Sequence, residues 1–313
     1  MNSALSLWLF YLLCVVFAPI LVLGTIRKTK ARLQNRIGPP LLQPLFDLVK
    51  LCRKSETLSK TMCGIFRLAS VISLADMLLI AWIAPWLCYK PGPDSADIFL
   101  IFYLFALTRM FTMLGALDSG SAFGAFGASR EATLSLLVEP AALLGFISIG
   151  ALTGSSDLLQ ILSFSNAQLS GSPGIWLLVG TAVLLANLVE SSRMPVDDPT
   201  THLELTMVHE AMILEASGRN LALIEYTHAL RMTILLGLSV QCFMRAIPSI
   251  WNAEPAVQGL INLTGIFFLA VLIGIFESIS VKLQWRKVPE FIAYSLTMSL
   301  LASLIAIGGR AMK

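Results

Sequence analysis

Asp76, Arg109, Glu139, Glu190 and Glu277 are charged residues that fall within or at the edge of long apolar stretches. An unpaired charge is expensive inside a bilayer, so such a residue is read as part of a pathway or as a partner contact. Glu139-Pro140 is the most informative of these positions. The proline frees a backbone carbonyl one turn earlier, and that irregularity is tolerated at membrane depth only where protein or water covers it. Arg109 is expected to pair with a neighbouring carboxylate. Asp76 and Glu277 fit pathway residues or inter-subunit contacts equally well, and Glu190 lies near enough to a span end to be merely interfacial.

A second group of acids lies between spans. Residues 193–228 carry Asp197, Asp198, Glu204, Glu210, Glu215 and Glu225, together with His202, His209 and His228, the only histidines of the chain. Leu203, Met207, Ala211 and Leu214 recur at three and four residues, which predicts a helix over 201–217. That helix would put Glu204 and Glu215 on one face, and His202 and His209 on another. Two histidines two turns apart are too distant for one metal, and position 213 is Ile, so an H-E-x-x-H zinc motif is excluded. Thr201-His-Leu-Glu204 also matches a capping box, which gives Glu204 a structural reading beside the functional one. Carboxylates interleaved with Leu, Met, Val and Ile tend to hold protons near neutral pH. With Glu139 they outline an acidic route from this loop toward mid-membrane.

The elements that must position these groups are membrane spans. The 313 residues are 56% hydrophobic and only 13% charged, with a mean hydropathy of +0.79. Soluble domains are nearer a quarter charged, so the composition argues against a soluble enzyme. A net charge of +3 gives little support for nucleic-acid binding. Eight apolar stretches approach the roughly 20 residues a helix needs to cross a bilayer: about 5–25, 67–88, 97–116, 132–153, 174–192, 229–247, 257–280 and 290–309. The first is read as a span rather than a cleaved signal, because no basic segment precedes it and a strongly basic one follows. The expected fold is all-α: a single integral-membrane domain over 1–313, with about eight transmembrane helices and an amphipathic interface helix.

Lys and Arg counts set the sidedness. Ten lie between 27 and 67, and alternate loops on that side add Arg130, Arg193, Arg219, Arg231, Lys282, Arg286 and Lys287. The other side has Lys90, Arg245, Arg310 and Lys313, and Arg109 stays within a span. Seventeen against four predicts a cytoplasmic (inner) membrane protein with both termini outside.

Loop 27–66 is too long to be structureless in a compact protein. Leu41, Leu45, Leu48 and Cys52, with Leu42 and Val49, recur at helical spacing, while Gln43, Asp47, Lys50 and Lys54 take the other face. An amphipathic helix over 41–53 follows, lying at the cytoplasmic interface. Gly38-Pro39-Pro40 stops what precedes it, and Pro44 is tolerable only in its first turn. It is either a peripheral helix on lipid or, with Arg32 and Arg36 upstream, a docking surface for a cytoplasmic partner. The five cysteines contain no C-x-x-C pair and no ligand-like cluster, so no zinc, iron–sulfur or disulfide framework is legible and any redox centre must sit elsewhere.

Three loops together resemble the complex I subunit 1 family. Arg32-Leu-Gln-Asn-Arg-Ile-Gly-Pro-Pro40 followed by Leu42-Gln-Pro-Leu-Phe-Asp-Leu-Val-Lys50 is similar to the family's first cytoplasmic loop, and Arg193-Met-Pro-Val-Asp-Asp198 to its x-R-x-P-F-D signature. Leu117-Asp-Ser-Gly-Ser-Ala-Phe123, Gly127-Ala-Ser-Arg-Glu-Ala132 and Val138-Glu-Pro140 resemble the hydrogenase branch, with its formate hydrogenlyase and hydrogenase-4 membrane subunits. The resemblance implies an ion-translocating anchor that couples electron transfer in partner subunits to movement of H⁺ or Na⁺. It carries no cofactor of its own; the [NiFe] and iron–sulfur centres belong to hydrogenase-like large and small subunits on the cytoplasmic side, and antiporter-like subunits are expected beside it in the bilayer. Glu139, Asp197 and Glu204 match acids of the family's charged path. Thr200 and His202 stand where complex I places further glutamates, and His209, Glu210 and Glu215 are the candidate substitutes. Arg32, Arg36, Gly38, Pro39, Gln43, Asp47 and Lys50 match the surface beneath the partners. The alternatives are a quinone-site subunit of an NADH:quinone oxidoreductase-type complex and a purely structural anchor.

Overall fold

The computed structural model describes residues 2–57, 62–88, 92–162, 173–197, 207–251 and 254–311. Its long helices are α1 (Asn2–Leu33), α3 (Gly64–Ile83), α4 (Ile98–Asp118), α5 (Ala122–Thr153), α7 (Pro173–Glu190), α9 (Gly218–Arg245), α11 (Pro255–Ile279) and α12 (Val288–Ala311). These account for the eight helices, among the described residues, that are long and apolar enough to span a membrane. The chain is a multi-pass, all-α membrane protein. Short helices fill the connections: α2 (Gln43–Arg53), α6 (Leu158–Ile161), α8 (His209–Ile213) and α10 (Pro248–Trp251).

The spans fall where apolar runs predict them, but several ends move. α1 continues to Leu33, well past 25, and its last turn carries Lys30 and Arg32, cations that suit a helix C-terminus. α5 begins at Ala122 rather than 132, and α9 at Gly218 rather than 229. These extra turns are polar, and protein covers them: a Cβ on Gly127 of α5 would lie 2.9 Å from the Val208 carbonyl and the Met212 side chain. The third element stops at Ile83, because residues 84–88 leave the helix to bury Trp86 against Tyr11.

Two connections differ from expectation. Of the helix expected over 201–217, residues 201–206 lie outside the described residues, and helix is present only as α8; Leu214 and Glu215 turn out of it. α2 forms as expected, but it is rolled. Pro44, Leu48 and Leu51 face α1 and α9, and Asp47 turns inward to Arg27 at 3.4 Å. Leu41, Leu42, Phe46 and Val49 remain exposed.

Packing in a bilayer relies on close backbone approach and interhelical hydrogen bonds rather than on the hydrophobic effect. Ser299 of α12 donates to the Ala141 carbonyl of α5 at 2.6 Å, just past Pro140, and Ser295 donates to the Ala182 carbonyl of α7 at 2.8 Å. α12 therefore clamps α5 to α7, and those two helices carry Glu139 and Glu190.

Candidate functional site

The deepest charged group is Arg109 on α4, only 2% exposed. Its Nη2 donates to both carboxylate oxygens of Glu190 on α7, at 2.5 and 2.6 Å. Its Nη1 donates to Glu139 on α5, and its Nε lies 3.8 Å from Glu131, two turns earlier on α5. Arg231 on α9 approaches Glu190 from the other side, Nη1 to Oε2 3.8 Å. Three carboxylates from two helices thus share two guanidinium groups from two others. Buried charges persist only when paired in this way.

Asp76 on α3 is buried nearby and accepts a 2.6 Å hydrogen bond from Thr108, the residue before Arg109. Glu139 is the least enclosed of the set, with its side chain 34% exposed on the flank of the bundle.

A second charged group lies toward the side where α1 ends and α9 begins, the basic side. Glu277 of α11 pairs with Arg193 at 3.3 Å and Lys30 of α1 at 3.7 Å. Asp197 accepts from Lys282 at 2.7 Å and from the Val208 amide at 2.8 Å, which ties the segment after α7 to the segments before α8 and after α11.

Between these groups is a cavity of about 560 Å³ open toward the basic side. Arg27, Lys30, Arg36 and Arg193 line it against Asp197, Glu210, Glu225 and Glu277. His209 and His228 complete the wall, their rings stacked at 4.3 Å between centroids. Outside the spans, burial with Glu225 and Asp197 nearby pushes Glu210 up to about 7. Burial, then Arg231 and Arg193, push the His209 imidazole down to about 4. At neutral pH Glu210 is half-protonated and His209 neutral. Under α2 a smaller apolar pocket of about 170 Å³ shares Leu23, Arg27 and Glu225 with the cavity.

The structure brings Glu139 into the Arg109 group, and Asp197, His209, Glu210 and Glu277 to the cavity. Arg36, Gly38 and Pro39 also line the cavity, Gly38 at a φ of +72° where a Cβ would meet Ala31 at 2.6 Å. Gln43 donates to Asp47 at 2.9 Å, while Arg32 and Lys50 are exposed on the basic side. Glu215 is exposed at the end of α8, away from the cavity. Glu204 lies outside the described residues.

Glu190 is not interfacial: it is the shared partner of two arginines, because α7 ends against α4 and α9 rather than in a loop. Arg193 and Arg231, counted above as loop cations, are buried beside carboxylates. Glu131, Glu225 and His228 were not singled out. Glu131 precedes Glu139 by two turns, a signal that only a longer α5 makes visible. Among the described residues no group of three His, Cys, Asp or Glu side chains is gathered as a metal site.

A polytopic helical bundle with an internal chain of ion pairs beside a one-sided polar cavity defines a class of membrane protein. Residues 6–308 match the NADH dehydrogenase family, and the chain belongs to that family, the complex I subunit 1 family whose motifs it carries. It is 33% identical to formate hydrogenlyase subunit 4 of Escherichia coli (strain K12) over 229 residues, 72% of this chain and 73% of the relative. It is 32% identical to hydrogenase-4 component C of the same organism over 222 residues, covering 71% and 69%. Its fold is shared with a chain of the membrane-bound sulfane sulfur reductase, an archaeal respiratory membrane complex. The TM-score is 0.73, the identity 21%, and 96% of this chain and 99% of that one are covered.

Proposed function

We propose that the chain is the membrane anchor and ion-translocating subunit of a hydrogenase-related, complex I-like respiratory complex. In this reading, electron transfer in cytoplasmic partners drives H⁺ or Na⁺ through it. One observation carries the reading: the cavity wall formed by Arg193, Glu277, His209 and His228 leads, one turn along α9, to Arg231 and so to Glu190, Arg109 and Glu139. A charged path that begins at a docking face and ends at mid-membrane is suited to coupling. The ion pathway is read as Glu139, Asp197, Glu204, His209 and Glu210, with Glu190 and Arg231 added; the exposed Glu215 is a poorer member.

The names of the hydrogenase-4 and formate hydrogenlyase relatives support partners of that kind. Hydrogenase-like large and small subunits, bearing the [NiFe] and iron–sulfur centres, would sit over Arg32, Arg36, Lys50 and the exposed Ile37 and Phe46. The open flank of Glu139 suits an antiporter-like neighbour. The basic asymmetry supports a cytoplasmic-membrane location with both termini outside, and the chain is treated as one membrane domain.

The test is Glu139→Gln in membrane vesicles holding the assembled complex. The coupled ion gradient should be lost while partner redox activity partly survives; unchanged pumping would reduce the chain to a structural anchor. The cavity and its apolar annex under α2 also favour a second reading, a quinone-like amphiphile with its polar head at Arg36 and its tail beside Leu48. Quinone-dependent turnover, with protection of residues 32–50 by a competing inhibitor, distinguishes it.

A further inference from the structure

His209 and His228 come from different elements, α8 and α9, and stack face to face. Both Nε2 atoms are buried without a hydrogen-bond partner. His228 bonds the Ser191 backbone through its other ring nitrogen, which fixes its orientation and leaves Nε2 as a bare acceptor. Two stacked imidazoles with idle nitrogens are not explained by packing, since a buried polar atom left unpaired is destabilising.

Their position is the second observation. Beyond the 560 Å³ cavity lies a small one of about 20 Å³, enough for one water. Among the described residues, His209 alone lines both. The small cavity is otherwise apolar except for Ser70 and Thr112. Thr112 sits one turn after Thr108 on α4 and bonds its carbonyl at 3.2 Å, and Thr108 donates to Asp76. A line of hydroxyls therefore runs from His209 to the buried carboxylate of α3.

We propose that the His209–His228 pair is a proton-selective relay from the cytoplasmic cavity to Asp76, which makes H⁺ the ion this subunit carries. This rests on the ion-translocation reading above and specifies its ion. A proton released by a cavity carboxylic acid, Glu210 or Glu225, is taken up by an idle imidazole nitrogen and passes between the stacked rings. It leaves through water in the small cavity to the Asp76 carboxylate. Both imidazoles return to the neutral state, and the donor is reprotonated from the basic side. A sodium ion has no such route. Hard cations move between oxygen ligands, whereas this step offers two imidazoles flanked by the Arg193 and Arg231 guanidinium groups. The charged groups facing the pair are those two arginines and the cavity's Asp197, Glu210, Glu225, Glu277, Arg27, Lys30 and Arg36.

The test uses the intact complex in vesicles, with internal acidification and sodium-isotope uptake followed during partner turnover. Wild type should build a proton gradient at the same rate with or without Na⁺ and take up no sodium; sodium uptake or a sodium requirement overturns the proposal, whatever the variants do. In complexes that co-purify intact, His209→Phe and His228→Phe should slow acidification by about tenfold or more. His209→Glu, which still carries a proton, should restore part of the rate with a shifted pH profile. Phe variants that pump normally overturn the relay. If Glu139→Gln also pumps normally, the translocation reading itself fails; if only Glu139→Gln is defective, the relay alone fails.

Discussion

Arg109 Nη2 bonds both carboxylate oxygens of Glu190, at 2.5 and 2.6 Å, and so joins α4 to α7 in the interior of the bundle. Since Glu190 also faces Arg231, its removal leaves two guanidinium groups with one acceptor fewer. Glu190→Gln should lower stability by about 3 kcal/mol or more, read as a fall in melting temperature of the detergent-solubilised protein. An unchanged melting temperature would mean that water already shares this site.

Glu210 and His209 titrate in opposite senses. Glu210 is raised from the usual carboxyl value of 4.5 to about 7, so the folded protein binds the proton more tightly. Its contribution to stability is full below the unfolded value and is lost as pH rises toward 7. A protonated-carboxyl infrared band that titrates near pH 7 and is absent from Glu210→Gln is the expected signature.

His209 is depressed from 6.5 to about 4, so its contribution is full above 6.5 and is lost as pH falls toward 4. His209→Phe should flatten the acid limb of a stability-against-pH curve, whereas Glu210→Gln should flatten the limb approaching neutrality. Melting curves across this range separate the two.

Asp197 fastens three segments at once through Lys282 and the Val208 amide. Asp197→Asn keeps the shape and removes the charge, at about 1.5–3 kcal/mol for charge-assisted hydrogen bonds. Limited proteolysis should then cut the 280–287 connection faster than in wild type, with the rest of the bundle intact.

Gly38 occupies a left-handed conformation and lies against Ala31. Gly38→Ala should strain the turn by about 1–3 kcal/mol and displace Pro39 from the cavity rim. Membrane insertion should be preserved while the yield of partner subunits co-purified from membranes falls.

The spans were legible because a bilayer demands long apolar runs, and eight such runs cannot be hidden in a sequence. Their ends were not. α5 and α9 begin in polar segments that only contact with α8 and α2 makes helical, so Glu131 and Arg231 looked like loop residues. Glu139 stood out as an acid beside proline in an apolar run. Its association with Arg109 and Glu190 depends on three helices meeting, and no spacing in the chain encodes that. The rolled α2 is a similar case: periodicity gave the helix, but the Arg27–Asp47 pair set which face turned inward.

The one-third of Glu139 left uncovered bears on how the protein is assembled. Between helices in lipid there is little hydrophobic force, so polar groups supply much of the attraction. A solitary copy of this chain would present an ion pair to acyl chains, a penalty of about 2.5–3.5 kcal/mol on insertion scales. Any neighbour that covers this flank relieves the penalty, so the residue placed to pass charge sideways also rewards the arrival of whatever receives it.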